Sequence, residues 1–217
     1  MGVLTSRLAW IDVISRVGEY PFLTREDRCL FLGDFHGRRG WAGGRTNQLI
    51  ANFKRSRADI EGKPTTRRLR RYKERAVAEI SEVLRGEFTR EEVESLCTFV
   101  PIPTSKRPDD PRYCDRLERT LRRAFEGYRA DIRPLLRQTL STAADHRSGA
   151  DRVKYERLLE ITELDTQQLV TALRPVVVLF DDVLTTGKHY RVAKTRIRQA
   201  SPEQPIVALF IARCLHA

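Results

Sequence analysis

The run Val176-Val177-Val178-Leu179-Phe180 constrains the fold of this chain more than any other stretch. It follows Pro175, carries consecutive β-branched residues and shows no polar alternation. Such a run reads as a strand buried on both faces, at the centre of a parallel sheet. It leads straight into Asp181 and Asp182, then Val183-Leu184-Thr185-Thr186-Gly187-Lys188 and a helix predicted over 190–199. A second apolar run, Thr98 to Pro103, is followed by a helix with Leu117, Leu121, Phe125 and Tyr128 inward and Arg116, Arg119, Arg122 and Arg123 outward or sideways. Together with a short strand within 132–136, a helix over 155–164 and a last strand over 206–212, this predicts an α/β fold, a parallel sheet flanked by helices.

The residues before 97 have a different texture. Leu8, Ile11, Ile14 and Val17 recur at helical spacing, and Leu30, Phe31 and Phe35 suggest a second helix. Gly37, Gly40, Gly43 and Gly44 break the regularity, after which Leu49, Ile50 and Phe53 mark a short helix. Pro64-Thr65-Thr66 starts another, with Tyr72, Ala76, Ile80 and Leu84 on one face and Gly86 as its C-terminal cap. The chain thus divides into a mainly helical N-terminal extension or hood, 1–96, and an α/β core, 97–217.

With 217 residues, 41% of them hydrophobic, there is material for one domain with an extension and a proper core. No apolar run approaches the roughly 18 residues needed to span a bilayer. No secretory leader is evident over residues 1–19, so a soluble, cytoplasmic protein without a membrane partner is expected. Cys29, Cys97, Cys114 and Cys214 lack zinc-knuckle spacing and read as four free thiols in a reducing compartment. The net charge of +11 points to a polyanionic partner, nucleic acid or a phosphorylated small molecule. Residues 54–75 concentrate ten basic residues against Asp59, Glu61 and Glu74. That window is either a solvated helix face or a polyanion-binding surface, nucleic acid included.

The chemistry gathers after the central strand. In open α/β sheets ligands bind at the carboxyl ends of strands, where the strand order switches. Two adjacent carboxylates there need a metal or hydroxyl donors. Thr185, Thr186, Gly187 and Lys188, at the start of a helix, suit a phosphate, with Gly187 letting the backbone approach it. A sugar phosphate supplies hydroxyls and phosphate together. Adjacent acids alone fit an ordinary acidic turn; the whole combination is much rarer.

This segment closely resembles the 5-phosphoribosyl-1-pyrophosphate (PRPP) signature of the type I phosphoribosyltransferases. The resemblance implies that Asp181 and Asp182 hold the ribose hydroxyls and, directly or through water, Mg²⁺, and that Leu184, Thr185, Thr186, Gly187 and Lys188 wrap the 5′-phosphate. Val100-Pro101-Ile102-Pro103-Thr104-Ser105-Lys106 is similar to the family's pyrophosphate loop, with Thr104, Ser105, Lys106 and Arg107 as its donors. Pro101 to Lys106, the stretch with Arg147, Ser148 and Arg152, and the close over 206–213 are nearest to the ComF-like branch, without its N-terminal four-cysteine zinc module. Thr185 stands where 6-oxopurine enzymes carry an acid, which argues against hypoxanthine or guanine as acceptor.

The implied activity is Mg²⁺-assisted transfer of a phosphoribosyl group to an unknown acceptor with release of pyrophosphate. Asp181, Asp182, Lys106 and Arg107 carry it. A loop over 137–152, with His146 and Arg147 near its tip, would exclude water. The competing expectation is a non-catalytic PRPP- or nucleotide-sensing regulator, or a nucleic-acid-associated protein acting through 54–75. A homodimer is the family's habit.

Overall fold

The structure, a computed structural model, describes residues 8–11, 18–142 and 153–215. In chain order its strands and α-helices are β1 (Ala9–Trp10), β2 (Arg28–Phe31), β3 (Asp34–His36), α1 (Arg45–Phe53), α2 (Arg57–Ile60), α3 (Thr66–Glu87), β4 (Cys97–Pro101), α4 (Arg116–Ala124), β5 (Asp131–Ile132), β6 (Leu136–Gln138), α5 (Tyr155–Ile161), β7 (Thr162–Leu164), β8 (Val176–Leu184), α6 (Lys188–Ala200) and β9 (Ile206–Leu215).

Strand alternation builds the layers. Val178 and Phe180 of β8 join Phe99 of β4 and Leu209 and Ile211 of β9 on one face of a sheet, under α1, α3 and α4. Val177 and Leu179 join Val100, Ala208 and Phe210 on the other, against Tyr190, Ala193 and Ile197 of α6. With both faces covered, β8 has no solvent side, and its sequence is apolar without alternation for that reason. The seven-stranded sheet runs β1-β2-β9-β8-β4-β5, with β3 alongside β9 beyond the end of β2. β1 is antiparallel to β2, and the remaining pairs are parallel. β6 and β7 form a separate antiparallel pair. From β4 the chain passes through α4 to β5 on one side, then returns to β8 on the other. The strand order therefore reverses between β4 and β8.

An α/β architecture with a mostly parallel, helix-flanked sheet is thus the fold, and several local expectations change. Leu30, Phe31 and Phe35 belong to strands, because tertiary pairing with β9 outweighs their helical spacing. The residues before 97 consequently supply β1, β2 and β3 to the same sheet as β8, alongside the helices α1 to α3. Ile14 and Val17, from the first expected helix, lie outside the described residues. Gly86 sits inside α3, which ends at Glu87 with Phe88 extended. Residues 162–164, expected in a helix, form β7 instead. All four cysteines are free and buried, and burial pushes the Cys29 thiol up to about 12 and Cys97 up to about 11. Among the described residues no helix is long and apolar enough to cross a membrane.

Candidate functional site

β8 does not end before its acids. Asp181, Val183 and Leu184 pair with Phe210, Ala212 and Arg213 of β9, so Asp181 and Asp182 lie within the strand, two residues before its carboxyl end. β4 ends beside them, pairing Pro101 with Phe180, and the Ile102 N–H continues the ladder to the Phe180 carbonyl at 2.9 Å. The strand switch brings the start of the stretch expected to hold pyrophosphate next to the acid pair, at the kind of position where open α/β sheets take ligands.

The two acids have different environments. Asp182 is buried, and two cations hold its carboxylate: Lys54 Nζ is 2.9 Å from Oδ1 and Arg116 Nη2 is 2.6 Å from Oδ2. Lys54 caps the end of α1, and Arg116 is the first residue of α4, its guanidinium 5.7 Å from the Phe53 ring centroid. Burial alone would raise the pKa of Asp182; the two cations outweigh it and hold the carboxyl well below the usual range. Asp181 is half-buried, and its Oδ1 accepts the Asp182 main-chain N–H at 2.7 Å. No ion pair reaches it among the described residues. Burial, and then the charge of Asp182, push its pKa up.

Neither cation was recognisable from the sequence. Arg116 is expected to lie outward or sideways on its helix, yet it turns in to Asp182, because an unpaired buried Asp182 would be far costlier than a buried pair. Lys54 belongs to the basic window, whose members divide in the structure. Lys73 is also buried, with Nζ 2.5 Å from the Arg55 carbonyl and 2.9 Å from Cys114 Sγ. Arg57 and Arg70 share Glu61 at 2.6 and 3.5 Å. Arg67, Arg68, Arg71 and Arg75 remain exposed on α3.

After β8, Thr185 is exposed and Thr186 half-buried, while Gly187 is left-handed at φ 83° and caps α6. Its missing Cβ makes room for protein: a Cβ there would lie 2.8 Å from Leu23 Cδ2. The Phe22 N–H also donates to the Thr186 carbonyl at 3.1 Å, so residues 22 and 23 lie along one side of this loop. Lys188 is buried, and its Nζ donates to the Val153 carbonyl at 2.5 Å.

On the β4 side, the Thr104 hydroxyl oxygen is buried and has no hydrogen-bond partner among the described residues. Ser105 accepts the Thr142 N–H at its carbonyl, 2.8 Å, and Lys106 donates to the Thr142 carbonyl. Arg107 lies on Asp109 at 2.6 Å, and its main-chain N–H donates to Ser141 Oγ at 3.2 Å. The loop is thereby tied to residues 141 and 142. His146, Arg147, Ser148 and Arg152 lie outside the described residues.

The donor set limits what this place can hold. Among the described residues no group of three or more His, Cys, Asp or Glu side chains could hold a metal ion. Mg²⁺ needs only one or two carboxylates when phosphate oxygens and water complete its shell. Asp181 meets that need; the oxygens of Asp182 are already taken by Lys54 and Arg116. No family model, curated protein or solved structure matches this chain.

Proposed function

We propose that this protein binds PRPP at the switch between β4 and β8 and transfers its phosphoribosyl group to an acceptor, releasing pyrophosphate. The observation that carries the reading is the position of the half-buried Asp181 carboxylate. Asp181 follows Phe180, whose strand partner Pro101 leads into the β4 loop with its hydroxyl and cationic donors, and it precedes the Gly187-capped start of α6 in the chain. Asp181 accepts from the ribose hydroxyls, and Asp182, held by Lys54 and Arg116, fixes the strand end that presents it. The main-chain N–H groups at the start of α6, with the Thr185 and Thr186 hydroxyls, take the 5′-phosphate. Thr104 offers an unused buried hydroxyl to the pyrophosphate, and Lys106 and Arg107 exchange their present carbonyl and carboxylate partners for its oxygens.

The acceptor attacks C1 of the ribose as the bond to pyrophosphate breaks, and the bonding electron pair leaves with the pyrophosphate. No covalent nucleophile from the protein is required; orientation and stabilisation of the departing charge suffice. When bound, Mg²⁺ would neutralise pyrophosphate charge, held by Asp181 directly or through water.

Calorimetric titration of PRPP with Mg²⁺ against the native protein and Asp181→Asn tests the binding step. Binding by the native protein and its loss in the variant are expected; equal affinities would end the proposal. Pyrophosphate release, screened against candidate bases and amines, tests the transfer. Binding without release would make the protein a sensor of the same ligand.

A further inference from the structure

The tryptophans stand apart from the phosphoribosyl reading. The chain has two, and both are more than half exposed: Trp10 at 59% and Trp41 at 51%. Tryptophan is on average a highly buried residue, so two indoles facing solvent at one margin of the sheet call for a partner. Trp41 belongs to the stretch Gly37-Arg38-Arg39-Gly40-Trp41-Ala42-Gly43-Gly44-Arg45, in which Arg38, Arg39 and Arg45 are exposed as well.

Hydrogen bonds tie this loop to the first turn of α1. Asn47, 1% exposed, donates through Nδ2 to the carbonyls of His36 and Gly40 at 2.8 and 2.9 Å and accepts the His36 N–H at 3.0 Å. Gln48 Nε2 donates to the Trp41 carbonyl at 3.3 Å. Gly43 packs so closely on Asn47 that a Cβ would lie 2.3 Å from its amide. Beside the loop opens a cavity of about 490 Å³ lined by Phe31, His36, Gly43, Arg45 and Arg213 among others. Arg213 lies 4.3 Å over the Phe31 ring and bonds Asp34 at 2.7 Å. Arg45 reaches Glu79 at 3.5 Å, so acids are present but paired with these cations.

We infer that this margin binds single-stranded nucleic acid: an unstacked base lies on Trp41, Arg38 and Arg39 contact flanking phosphates, and the cavity takes a neighbouring base beside Arg45 and His36. Aromatic platforms set among cations are the means by which proteins bind single strands, because every base has a π-face and every linkage a charge. The excess of positive charge in the chain favours the same partner. A duplex keeps its bases stacked and gives Trp41 nothing to lie on. The inference is independent of PRPP binding, and it assigns a surface other than the basic α3 face.

Fluorescence anisotropy with labelled oligo-dT and oligo-rU of about twelve nucleotides, without PRPP, tests it. The native protein is expected to bind single strands more tightly than a duplex of the same length, with quenching of tryptophan emission. Trp41→Ala should weaken binding about tenfold, and Trp41→Phe should restore most of it. Arg38→Ala with Arg39→Ala should lower the slope of log K against log salt by about 1.4. The oligo-dT and oligo-rU arms distinguish DNA from RNA. Failure of the native protein to bind, equal binding by Trp41→Ala, or loss confined to an Arg67→Ala, Arg68→Ala, Arg71→Ala control would each overturn the assignment.

Discussion

Arg116 donates to Asp182 at 2.6 Å across 66 residues of sequence, joining the start of α4 to the end of β8. Together with Lys54 on the other carboxylate oxygen, it makes Asp182 the link among α1, α4 and the sheet. The neighbouring Asp181 takes no part in these ion pairs. The two acids of the motif thus differ in environment: Asp182 is clamped by two cations, while the half-buried Asp181 accepts the Asp182 main-chain N–H.

Removing the buried anion should be costly. Asp182→Ala leaves two cations facing each other around a void, and a loss of about 3–5 kcal/mol is expected, read from urea denaturation. Asp181→Asn should stay near native stability at pH 5 while abolishing PRPP binding.

The two shifts also set opposite pH dependences. The folded pKa of Asp182 is depressed, so its stabilisation is present above the unfolded value of about 4 and is lost as pH falls toward the folded one. The folded pKa of Asp181 is raised, so its contribution is present below the unfolded value and is lost as pH rises through the folded one. Asp181→Asn should therefore be more stable relative to the native protein at pH 8 than at pH 5. Thermal unfolding at the two pH values checks this; a difference of opposite sign would contradict it.

Gly187 combines a left-handed backbone with the close approach of Leu23. Gly187→Ala should cost about 1–3 kcal/mol. Leu23→Ala in the same chain should recover only the steric share, since the backbone strain remains. Full recovery on chemical denaturation would show that φ at this position is unimportant.

A second buried acid ties the N-terminal residues to α6. Asp27 accepts from Lys194 at 2.5 Å, Tyr190 at 2.8 Å and the Thr24 N–H at 2.6 Å. Burial opposes its charge, but these donors win and its pKa is lowered. Asp27→Ala should cost about 3–5 kcal/mol, because Lys194 and the Tyr190 hydroxyl lose their shared acceptor. Near-native denaturation would rule out that role.

What was legible in the sequence follows its local signals. The apolar run 176–180 identified β8 without any homologue, and the four-residue spacing of Ala76, Ile80 and Leu84 identified α3. The structure adds α2 to the expected helices, with Ser56 and Asp59 closing a capping box at its start. Phe31 and Phe35 misled because β2 and β3 are short strands against β9, stabilised by a partner about 180 residues away in sequence. The acids, the glycine and the donors of the β4 loop were recognisable as residue types in a pattern. Their present partners were not, since nothing near Arg116 or Lys54 in the chain marks either as the counter-ion of Asp182.

The sequence by itself determined the strand and helix periods, the α/β class and the places where polar chemistry interrupts an apolar strand. These depend on residues a few positions apart, whose geometry the backbone repeats. Tertiary structure alone decided which acid is clamped, that Leu23 rather than open space lies over Gly187, and that both tryptophans face solvent at one sheet margin. Each of these depends on where distant segments meet, and burial and charge pairing choose among many such meetings that local spacing leaves equal.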